Sequence, residues 1–232
     1  MVEILKDKGF HEILGIMVGF DGENPIQLIE KAGRTAYQSQ DKITDDSAKR
    51  FITMIIRRDH GSVLEHSAMT VRFSFFSRGM THEFVRHRLT SPTQESTRYV
   101  DESDFFVVIP PTRNPDKKIV ELLLPGGKKI QVSFREWMGL NEQMYRALRK
   151  AGWPCEDARQ VLPIGIKSQI TMTANFREWR HIFFLRCARD AHWEIRRAMI
   201  NLLKDVQKRI PIVFDDFKIR KDKNKGLYAV KI

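Results

Sequence analysis

Hydrophobic positions recur at helical spacing in several parts of the chain. In residues 44–61, Phe51, Met54 and Ile55 repeat with the period of a helix, between polar caps and Gly61. Asn24 and Pro25 have the residue types of a helix start. The pattern therefore predicts helices over residues 23–39, 44–61, 79–88, 135–152 and 176–210, the last as one continuous helix.

Other stretches change to the period of a strand. Met69, Val71, Phe73 and Phe75 alternate with polar residues, which predicts a strand with one buried face. Shorter apolar or alternating runs predict strands at residues 2–7, 104–111 and 169–175, and a hairpin turn in "LPGGKKIQVSF". The predicted fold is α/β (α+β): a single domain over residues 1–232, with a central mixed or antiparallel sheet flanked by long helices.

Composition narrows the class of protein. The 232 residues are 42% hydrophobic and 30% charged, which is ordinary for a globular protein. The sequence has no apolar run approaching the roughly 20 residues of a membrane helix, and its N-terminus does not resemble a signal peptide. The two cysteines make a disulfide framework improbable. We therefore expect a cytoplasmic protein without membrane association.

The net charge of +11 leaves two kinds of partner open. The chain could bind nucleic acid through its phosphates, or it could bind small anionic ligands. Part of the excess positive charge lies near the C-terminus, in "KIRKDKNKG". We expect the segment from about residue 218 to residue 232 to form a solvated basic tail.

Metal and thiol chemistry have weak support in the sequence. In a helix, His82 and His87 would point about 140° apart, so they would not share one ion, and we predict no metal site. Cys155 follows Pro154 at a predicted helix start, where a thiol is either activated or simply packed. Cys187 lies among apolar neighbours and is expected to pack. Because the glycine-rich nucleotide motifs are missing, side chains would have to hold any nucleotide.

The stretch "RHRLTSPTQESTRY", residues 86–99, is rich in arginine and short hydroxyl side chains. If the chain is extended after Pro92, then Gln94, Ser96 and Arg98 lie on one side, at a period of two. An amide, a hydroxyl and a guanidinium in one row suit a base or sugar and a phosphate. A solvated basic loop is the alternative.

Arg186 is a charged residue in an apolar stretch, "IFFLRCA". A charge on an apolar helix face needs a partner. That partner could be Asp190, four residues later, or it could be an anionic ligand.

Four motifs together resemble the flavin-dependent thymidylate synthases. They are "RHRLTSPTQESTRY", "DHGSVLEHS", "ARQVLPIGIKSQITMTANFREWRHIFFLRC" and "AHWEIR", in the family's order and spacing. The resemblance covers most of residues 26–200.

This resemblance implies a methyltransferase of nucleotide biosynthesis that converts dUMP to dTMP. It implies 5,10-methylenetetrahydrofolate as the carbon donor and FAD as the cofactor, with reduced FAD giving the hydride and NADPH recharging it. It also implies a reaction without a cysteine nucleophile and a cytoplasmic homotetramer with active sites at its subunit interfaces. Specific nucleic-acid binding is not expected.

The resemblance also assigns residues to roles. Arg186 would favour ionisation of the pyrimidine, and Ser96 would orient the substrate near the reacting carbon. The substrate-binding set would be Glu83, Phe84, Val85, Arg86, Gln94, Glu95, Ser96, Thr97, Arg98, Arg159 and Arg186. The flavin-binding set would be His60, Ser62, Arg86, His87, Arg88, Gln94, Asn175, Arg177 and His181.

Three positions depart from the family pattern. Gln94–Glu95 stands where many members have a glutamate before the serine, and Glu83 replaces a frequent glutamine. Ala36 falls where relatives often carry serine or cysteine, so no flavin contact is assigned to it. Two alternatives remain: a basic nucleic-acid-binding protein without catalysis, and a flavoprotein of this fold that has lost methylation.

Overall fold

The structure, a computed structural model, describes residues 2–232. Its helices are α1 (Pro25–Arg34), α2 (Ser47–Arg57), α3 (Arg78–Phe84), α4 (Phe134–Lys150), α5 (Cys155–Ala158), α6 (Phe176–Arg186), α7 (Trp193–Arg209) and α8 (Pro211–Phe214). Its strands are β1 (Glu3–Leu5), β2 (Phe10–Ile16), β3 (Ala68–Ser77), β4 (Ser91–Gln94), β5 (Phe106–Val108), β6 (Lys118–Leu123), β7 (Lys129–Ser133), β8 (Lys167–Asn175), β9 (Phe217–Asp222) and β10 (Gly226–Lys231). The predicted α/β class is confirmed.

The strands form parallel and antiparallel pairs. A four-stranded sheet has the order β2-β3-β8-β4, and β1 pairs in parallel with β5. The pairs β6–β7 and β9–β10 are antiparallel hairpins. The predicted turn in the first hairpin is confirmed, and Gly126 and Gly127 both have a positive φ there, which glycine adopts at little cost.

The chain is divided between two compact units. Unit 1 consists of Met1–Phe10, Ser74–His82 and Gln94–Ile170, and unit 2 consists of His11–Phe73, Glu83–Thr93 and Thr171–Ile232. The chain passes from one unit to the other repeatedly, and β3 and β8 each begin in one unit and end in the other. The single catalytic domain over residues 1–232 stays a prediction.

The core of unit 1 lies between β5 and α4. Val107 of the strand and Tyr145 of the helix are fully buried, together with Ile166. The Tyr145 hydroxyl accepts a hydrogen bond from the Glu102 backbone N–H at 3.2 Å. A buried hydroxyl needs such a partner, so this bond fixes the loop that carries Glu102.

The core of unit 2 lies between its strands and α6. Met69 and Val71 of β3 and Met172 of β8 are buried, as the alternating pattern predicts. Trp179 of α6 is fully buried, and its indole N–H donates to the Met69 carbonyl at 2.9 Å. This bond joins the first turns of α6 to the sheet and so places the polar side chains of that helix.

Sequence predicts the starts of helices well because capping is local. Asn24 accepts hydrogen bonds from the backbone N–H groups of Ile26 and Gln27, and Gln27 bonds back to the cap. Ser133 and Glu136 form the same arrangement at the start of α4. These capping boxes satisfy N–H groups that the helix leaves unpaired.

The predicted burial along β3 is wrong at Phe75. Phe75 has φ +62°, a left-handed conformation that is strained for an aromatic residue, and its side chain is 39% exposed. Phe76 and Ser74 are buried instead. A local irregularity therefore reverses the faces near the end of this strand, which a strict period of two does not anticipate.

The predicted continuous helix over residues 176–210 is also wrong. The chain forms α6 and α7, separated by residues 187–192. At this break the Arg196 side chain donates to the carbonyls of Arg189 and Ala191, both at 2.7 Å. A buried guanidinium thus satisfies carbonyls that the interrupted helix leaves without partners. The apolar pattern runs through the break, so periodicity alone gives no sign of it.

The C-terminal segment, predicted as a solvated basic tail, forms a folded hairpin whose basic side chains are exposed. Strands β9 and β10 pair along residues 217–222 and 226–231, and Phe217 and Ala229 are buried. The Ala229 N–H donates to the Cys187 carbonyl at 2.8 Å, just beyond the end of α6. The basic side chains lie on a folded hairpin. Within residues 2–232, no helix combines the length and the apolar character that a membrane crossing requires.

Candidate active site

Arg186, the last residue of α6, is held by α3 and by the turn that follows α3. Its Nε donates to His87 Nε2 at 3.0 Å, and its Nη1 donates to Glu83 Oε2 at 2.7 Å. Its Nη2 donates to the Glu83 carbonyl at 3.0 Å. Asp190 is paired with Lys225 instead, so it is not the partner of Arg186. The guanidinium side chain is 22% exposed, and its remaining N–H groups are available for a ligand.

The end of α3 brings Glu83 and His87 to this guanidinium. The helix stops at Phe84, and the His87 N–H donates to the Phe84 carbonyl at 2.9 Å in the turn that follows. His87 is buried, whereas Arg86 and Arg88 on either side of it are exposed. The predicted helix over 79–88 is thus too long. The angle of about 140° that a helix would place between His82 and His87 therefore does not apply, because His87 lies beyond the end of α3.

His87 lies in a buried and positively charged environment. Burial, Arg186 and His181, in that order, lower its pKa to about 4. The His87 and His181 rings meet edge to face, with centroids 6.2 Å apart. His87 is therefore a neutral imidazole near pH 7, in contact with the residue predicted to activate the pyrimidine.

Glu178 completes this group, and the sequence predictions did not include it. It is 6% exposed, and its Oε1 lies 3.5 Å from His87 Nδ1. Burial raises the pKa of its carboxyl. Its position three residues after Asn175, the cap of α6, indicates an ordinary helix start, so the sequence gives no sign that this carboxylate faces a histidine.

Four residues of the predicted flavin set lie on segments around the start of α6: His60, Ser62, Asn175 and Arg177. Asn175 accepts a hydrogen bond from the Glu178 N–H at 2.8 Å, and Arg177 Nη1 donates to Glu65 Oε1 at 2.6 Å. His60 precedes a short 3₁₀ helix, Gly61–His66, which carries Ser62. A side chain at Gly61 would come within 3.1 Å of Arg177 Nε, so this backbone approaches the guanidinium closely.

A cavity of about 280 Å³ opens beside these residues. It has apolar walls and several cationic side chains. Its lining comprises Ile55, Ile56, Asp59, Gly61, Leu64, Arg177, Arg180, His181, Phe184, Phe217 and Lys231. The structure thus brings Arg177 and His181, two members of the predicted flavin set, to one cavity. It adds Lys231 of the C-terminal hairpin, which the sequence predictions left in a solvated tail.

The second predicted set lies in unit 1, after β4. Strand β4 ends at Gln94, and the N–H groups of Tyr99 and Val100 both donate to the Ser96 carbonyl. Residues 96–99 therefore form a turn, and the predicted extended row through Ser96 and Arg98 is wrong. The hydroxyls of Ser96 and Thr97 favour such turns at least as readily as a strand.

The turn presents Arg98 to solvent. Arg98 Nε donates to Glu156 Oε2 at 3.1 Å, and the Arg98 guanidinium lies 5.4 Å from the Tyr99 ring centre. Hydrogen bonding to Glu156 raises the pKa of Arg98. Arg159 Nη1 donates to Thr97 Oγ1 at 3.3 Å. The predicted residues Thr97, Arg98 and Arg159 are thus neighbours, although a strand does not present them.

Gln94 and Glu95 point to different partners within unit 1. Gln94 Nε2 donates to Thr81 Oγ1 at 2.6 Å, and Lys167 Nζ donates to Glu95 Oε1 at 3.1 Å. Glu95 Oε2 and Glu102 Oε1 are buried without a hydrogen-bond partner among residues 2–232. The two carboxylates lie near each other, and burial and Glu95 raise the pKa of Glu102 to about 7.

Both cysteines are free. Cys187 is fully buried, and burial raises the pKa of its thiol, so it packs as predicted. Cys155 is the first residue of α5, a helix of four residues, and is half-buried.

Comparison with known proteins agrees with the motifs. Residues 20–212 match the family model described as thymidylate synthase complementing protein, Thy1. A protein of Mycobacterium avium (strain 104) named flavin-dependent thymidylate synthase is 35% identical over 205 residues, which cover 86% of this chain and 82% of that protein. A protein of the same name from Mycobacterium tuberculosis (strain ATCC 25177 / H37Ra) is 34% identical with the same coverage.

The fold also resembles a solved structure. The UMP/dUMP methylase PolB from Streptomyces cacaoi, bound with 5-Br dUMP, superposes with a TM-score of 0.70 at 22% identity. The superposition covers 92% of this chain and 95% of that chain. At this identity the likeness establishes the fold, whereas the match over residues 20–212 establishes the family. The resemblance seen in the motifs is confirmed: the chain belongs to the Thy1 family of thymidylate synthase complementing proteins.

Proposed function

We propose that the chain is a flavin-dependent thymidylate synthase that methylates dUMP to dTMP. The observation that carries the proposal is the family match over residues 20–212, because it spans all four motifs. The methylene group comes from 5,10-methylenetetrahydrofolate. FAD, when bound and reduced by NADPH, supplies the hydride.

Arg186 is the residue that acts on the pyrimidine. A guanidinium never releases its proton at physiological pH, so it stabilises negative charge as that charge develops on the ring. The contacts of Arg186 with Glu83 and His87 support this role, because they fix the plane of the guanidinium before a substrate arrives. Glu83, which replaces a frequent glutamine, thus holds Arg186.

Arg98 and Arg159 bind the phosphate of dUMP. Arg98 lies in a turn of unit 1 that Arg159 contacts through Thr97, and Arg98 is exposed, which supports a role in capturing an anion. The Ser96 hydroxyl accepts the Arg98 backbone N–H at 3.3 Å. That contact suits an orienting hydroxyl better than a nucleophile.

The cavity of unit 2 has the chemistry to hold part of FAD. Apolar and aromatic walls, including Ile56 and Phe184, suit a planar ring, and Arg177 and Lys231 suit the diphosphate. His60, Ser62 and Asn175 lie on the adjoining segments and complete the flavin set in this unit. Arg86, Arg88 and Gln94 belong to the same proposed set.

Thiol attack is not part of the proposed mechanism. Burial of Cys187 raises the pKa of its thiol and removes it from solvent, so it does not form the thiolate that attack requires. In the proposed reaction the methylene transfers to a ring that Arg186 activates. We further propose a cytoplasmic homotetramer with active sites at its subunit interfaces.

Two measurements on the purified protein test the proposal. We expect a flavin absorption spectrum that changes when dUMP is added, and conversion of dUMP to dTMP with NADPH and methylenetetrahydrofolate. Bound flavin without dTMP formation would mean that methylation has been lost. A protein without flavin whose DNA affinity falls steeply with salt would favour the nucleic-acid-binding alternative.

A further inference from the structure

The hydrogen bond between Arg186 and His87 determines where His87 carries its proton. A guanidinium has N–H donors and no acceptor, so His87 Nε2 must accept the bond from Arg186 Nε at 3.0 Å. A neutral imidazole has one protonated nitrogen, and here that nitrogen is Nδ1. The tautomer thus follows from the hydrogen-bond network.

Glu178 faces the protonated nitrogen. Its Oε1 lies 3.5 Å from His87 Nδ1, and both residues are only 6% exposed. The Trp179 bond to the Met69 carbonyl and the Asn175 cap hold the first turn of α6 in place. A carboxylate fixed at this point favours the tautomer with hydrogen on Nδ1, since that hydrogen then points to a negative charge.

We propose that Glu178 and His87 are positioning residues for Arg186. Glu178 keeps the hydrogen of His87 on Nδ1, and the Nε2 lone pair then holds the guanidinium in the plane that presents its remaining N–H groups to the pyrimidine. This inference rests on the proposed function, in which Arg186 acts on dUMP.

The same geometry opposes a metal ion at this cluster. Ligand atoms of His87, Glu178 and His181 lie within 4.8 Å of one another, as in a metal site. A metal on His87 Nδ1 would displace its hydrogen to Nε2, where it would point at the N–H of Arg186. Two donors would then face each other beside a cation. The cluster therefore suits a relay of hydrogen bonds better than a metal ion.

Burial, Arg186 and His181 favour a neutral His87, whereas the carboxylate of Glu178 opposes them. Arg186, Glu178 and His181 face it from α6, and Glu83 of α3 binds the same guanidinium. Because its pKa is lowered to about 4, His87 loses its acceptor function only in acid. The pKa of His87 is lower in the folded protein than in the unfolded chain. Its contribution to the stability of the fold is therefore complete above pH 6.5 and is lost as the pH falls toward 4.

Two substitutions at Glu178 test the proposal. Glu178→Gln keeps an acceptor oxygen for His87 Nδ1–H, whereas Glu178→Leu removes it at similar volume. We expect Glu178→Leu to lower kcat roughly 10- to 100-fold with a small change in KM for dUMP, the effect typical of an outer hydrogen-bond partner. Glu178→Gln should stay within a few-fold of the parent.

The second readout is the ¹⁵N NMR spectrum of the His87 ring in the flavin-bound protein. We expect hydrogen on Nδ1 in the parent and in Glu178→Gln. In Glu178→Leu only the Arg186 bond still favours that tautomer, so we expect a mixture in which the molecules with hydrogen on Nε2 have lost the bond to Arg186. A merely structural glutamate would not produce this change. Glu30→Leu is the matched control, because Glu30 is a buried glutamate of unit 2 that binds Ser47 and Arg34, away from this cluster. It should lower the melting temperature and leave the His87 tautomer unchanged.

The outcomes separate this inference from the proposed function. A parent protein that makes no dTMP would end the proposed function, while its NMR spectrum would still test the hydrogen-bond relay. Hydrogen on His87 Nε2 in the parent would overturn the inference. So would a Glu178→Leu enzyme with unchanged kcat, or one whose activity falls only in proportion to its bound flavin.

Discussion

The molecule presents arginine in two different settings. In unit 2, Arg186 is largely buried, and Glu83 and His87 hold each of its nitrogens. In unit 1, Arg98 is about half exposed and pairs with Glu156, which is also about half exposed. The partly buried guanidinium of Arg186 is fixed in advance, whereas the exposed Arg98 exchanges its carboxylate partner for an anion at little cost.

This difference suits Arg186 to the chemical step and Arg98 to the binding of the substrate phosphate. A surface ion pair contributes little stability, about 0–1 kcal/mol, so a phosphate can replace Glu156 on Arg98. A fixed donor in a partly buried site stabilises developing charge without reorganising during the reaction. We therefore expect substitutions in unit 2 to affect turnover, and substitutions in unit 1 to affect dUMP binding.

The largest expected effect follows from Arg186→Ala. Loss of a preorganised donor to a developing anion typically lowers kcat about 10²- to 10³-fold, so turnover should nearly disappear while FAD stays bound. Arg186→Lys is the control for charge alone, and it should recover little because an ammonium lacks the planar fork. The measurements are dTMP formation and the flavin spectrum. Near-normal activity in Arg186→Ala would remove this residue from the mechanism.

Arg98→Ala should weaken dUMP binding roughly 30-fold, with a smaller change in kcat. A charge-assisted hydrogen bond to phosphate contributes about 2 kcal/mol, which corresponds to this factor. Titration of dUMP into the flavin-bound protein measures the affinity. Arg113→Ala, at another exposed arginine of unit 1, is the control and should bind dUMP normally. An unchanged dUMP affinity in Arg98→Ala would contradict the assignment of dUMP binding to unit 1 and of turnover to unit 2.

The sequence predicts the local part of this comparison and misses the part that depends on tertiary structure. Helix starts and the hairpin follow from capping residues and glycines, which act within a few positions. The motifs identify Arg186 and Arg98 because their residue types and spacing lie in the chain itself. The α/β class follows from the spacing of hydrophobic residues, because a buried helix face and a buried strand face each impose their own period on the sequence.

What the sequence could not predict depends on contacts between distant segments. Arg196 satisfies the carbonyls at the break between α6 and α7, although the apolar pattern continues through it. Glu178 meets His87 across 91 residues of chain, while its own neighbourhood indicates only a helix start. Lys231 reaches the cavity because β9 and β10 fold as a hairpin. The high charge of this segment predicts a solvated tail and gives no sign of the hairpin.

Glu102→Gln tests the buried charge in unit 1. The raised pKa of Glu102, about 7, means that its stabilising contribution is complete below 4.5 and is lost as the pH rises through 7. Burial raises this pKa most, with Glu95 and Asp101 adding to it, whereas Lys167 and Arg78 oppose them. Glutamine stays neutral, so the variant should be about 2 kcal/mol more stable than the parent at pH 8 and similar to it at pH 5.

Urea unfolding at both pH values measures this difference. Glu121→Gln, at an exposed carboxylate of the same unit, should behave like the parent at each pH. If the advantage of Glu102→Gln were the same at pH 5 and pH 8, an origin in the charge of Glu102 would be excluded.

The smallest effect is expected at Lys231, which lines the cavity of unit 2 from a hairpin outside residues 20–212. Arg177 and Arg180 in the same lining pair with Glu65 and Asp216, so an added cation strengthens the attraction for a diphosphate. Lys231→Ala should weaken FAD binding about 3- to 10-fold, measured by quenching of flavin fluorescence, and more at low salt. Lys221→Ala, on the same hairpin away from the cavity lining, should bind FAD like the parent. Equal losses in the two variants would mean that the hairpin acts only through general charge, and that unit 2 holds its cofactor through α6 alone.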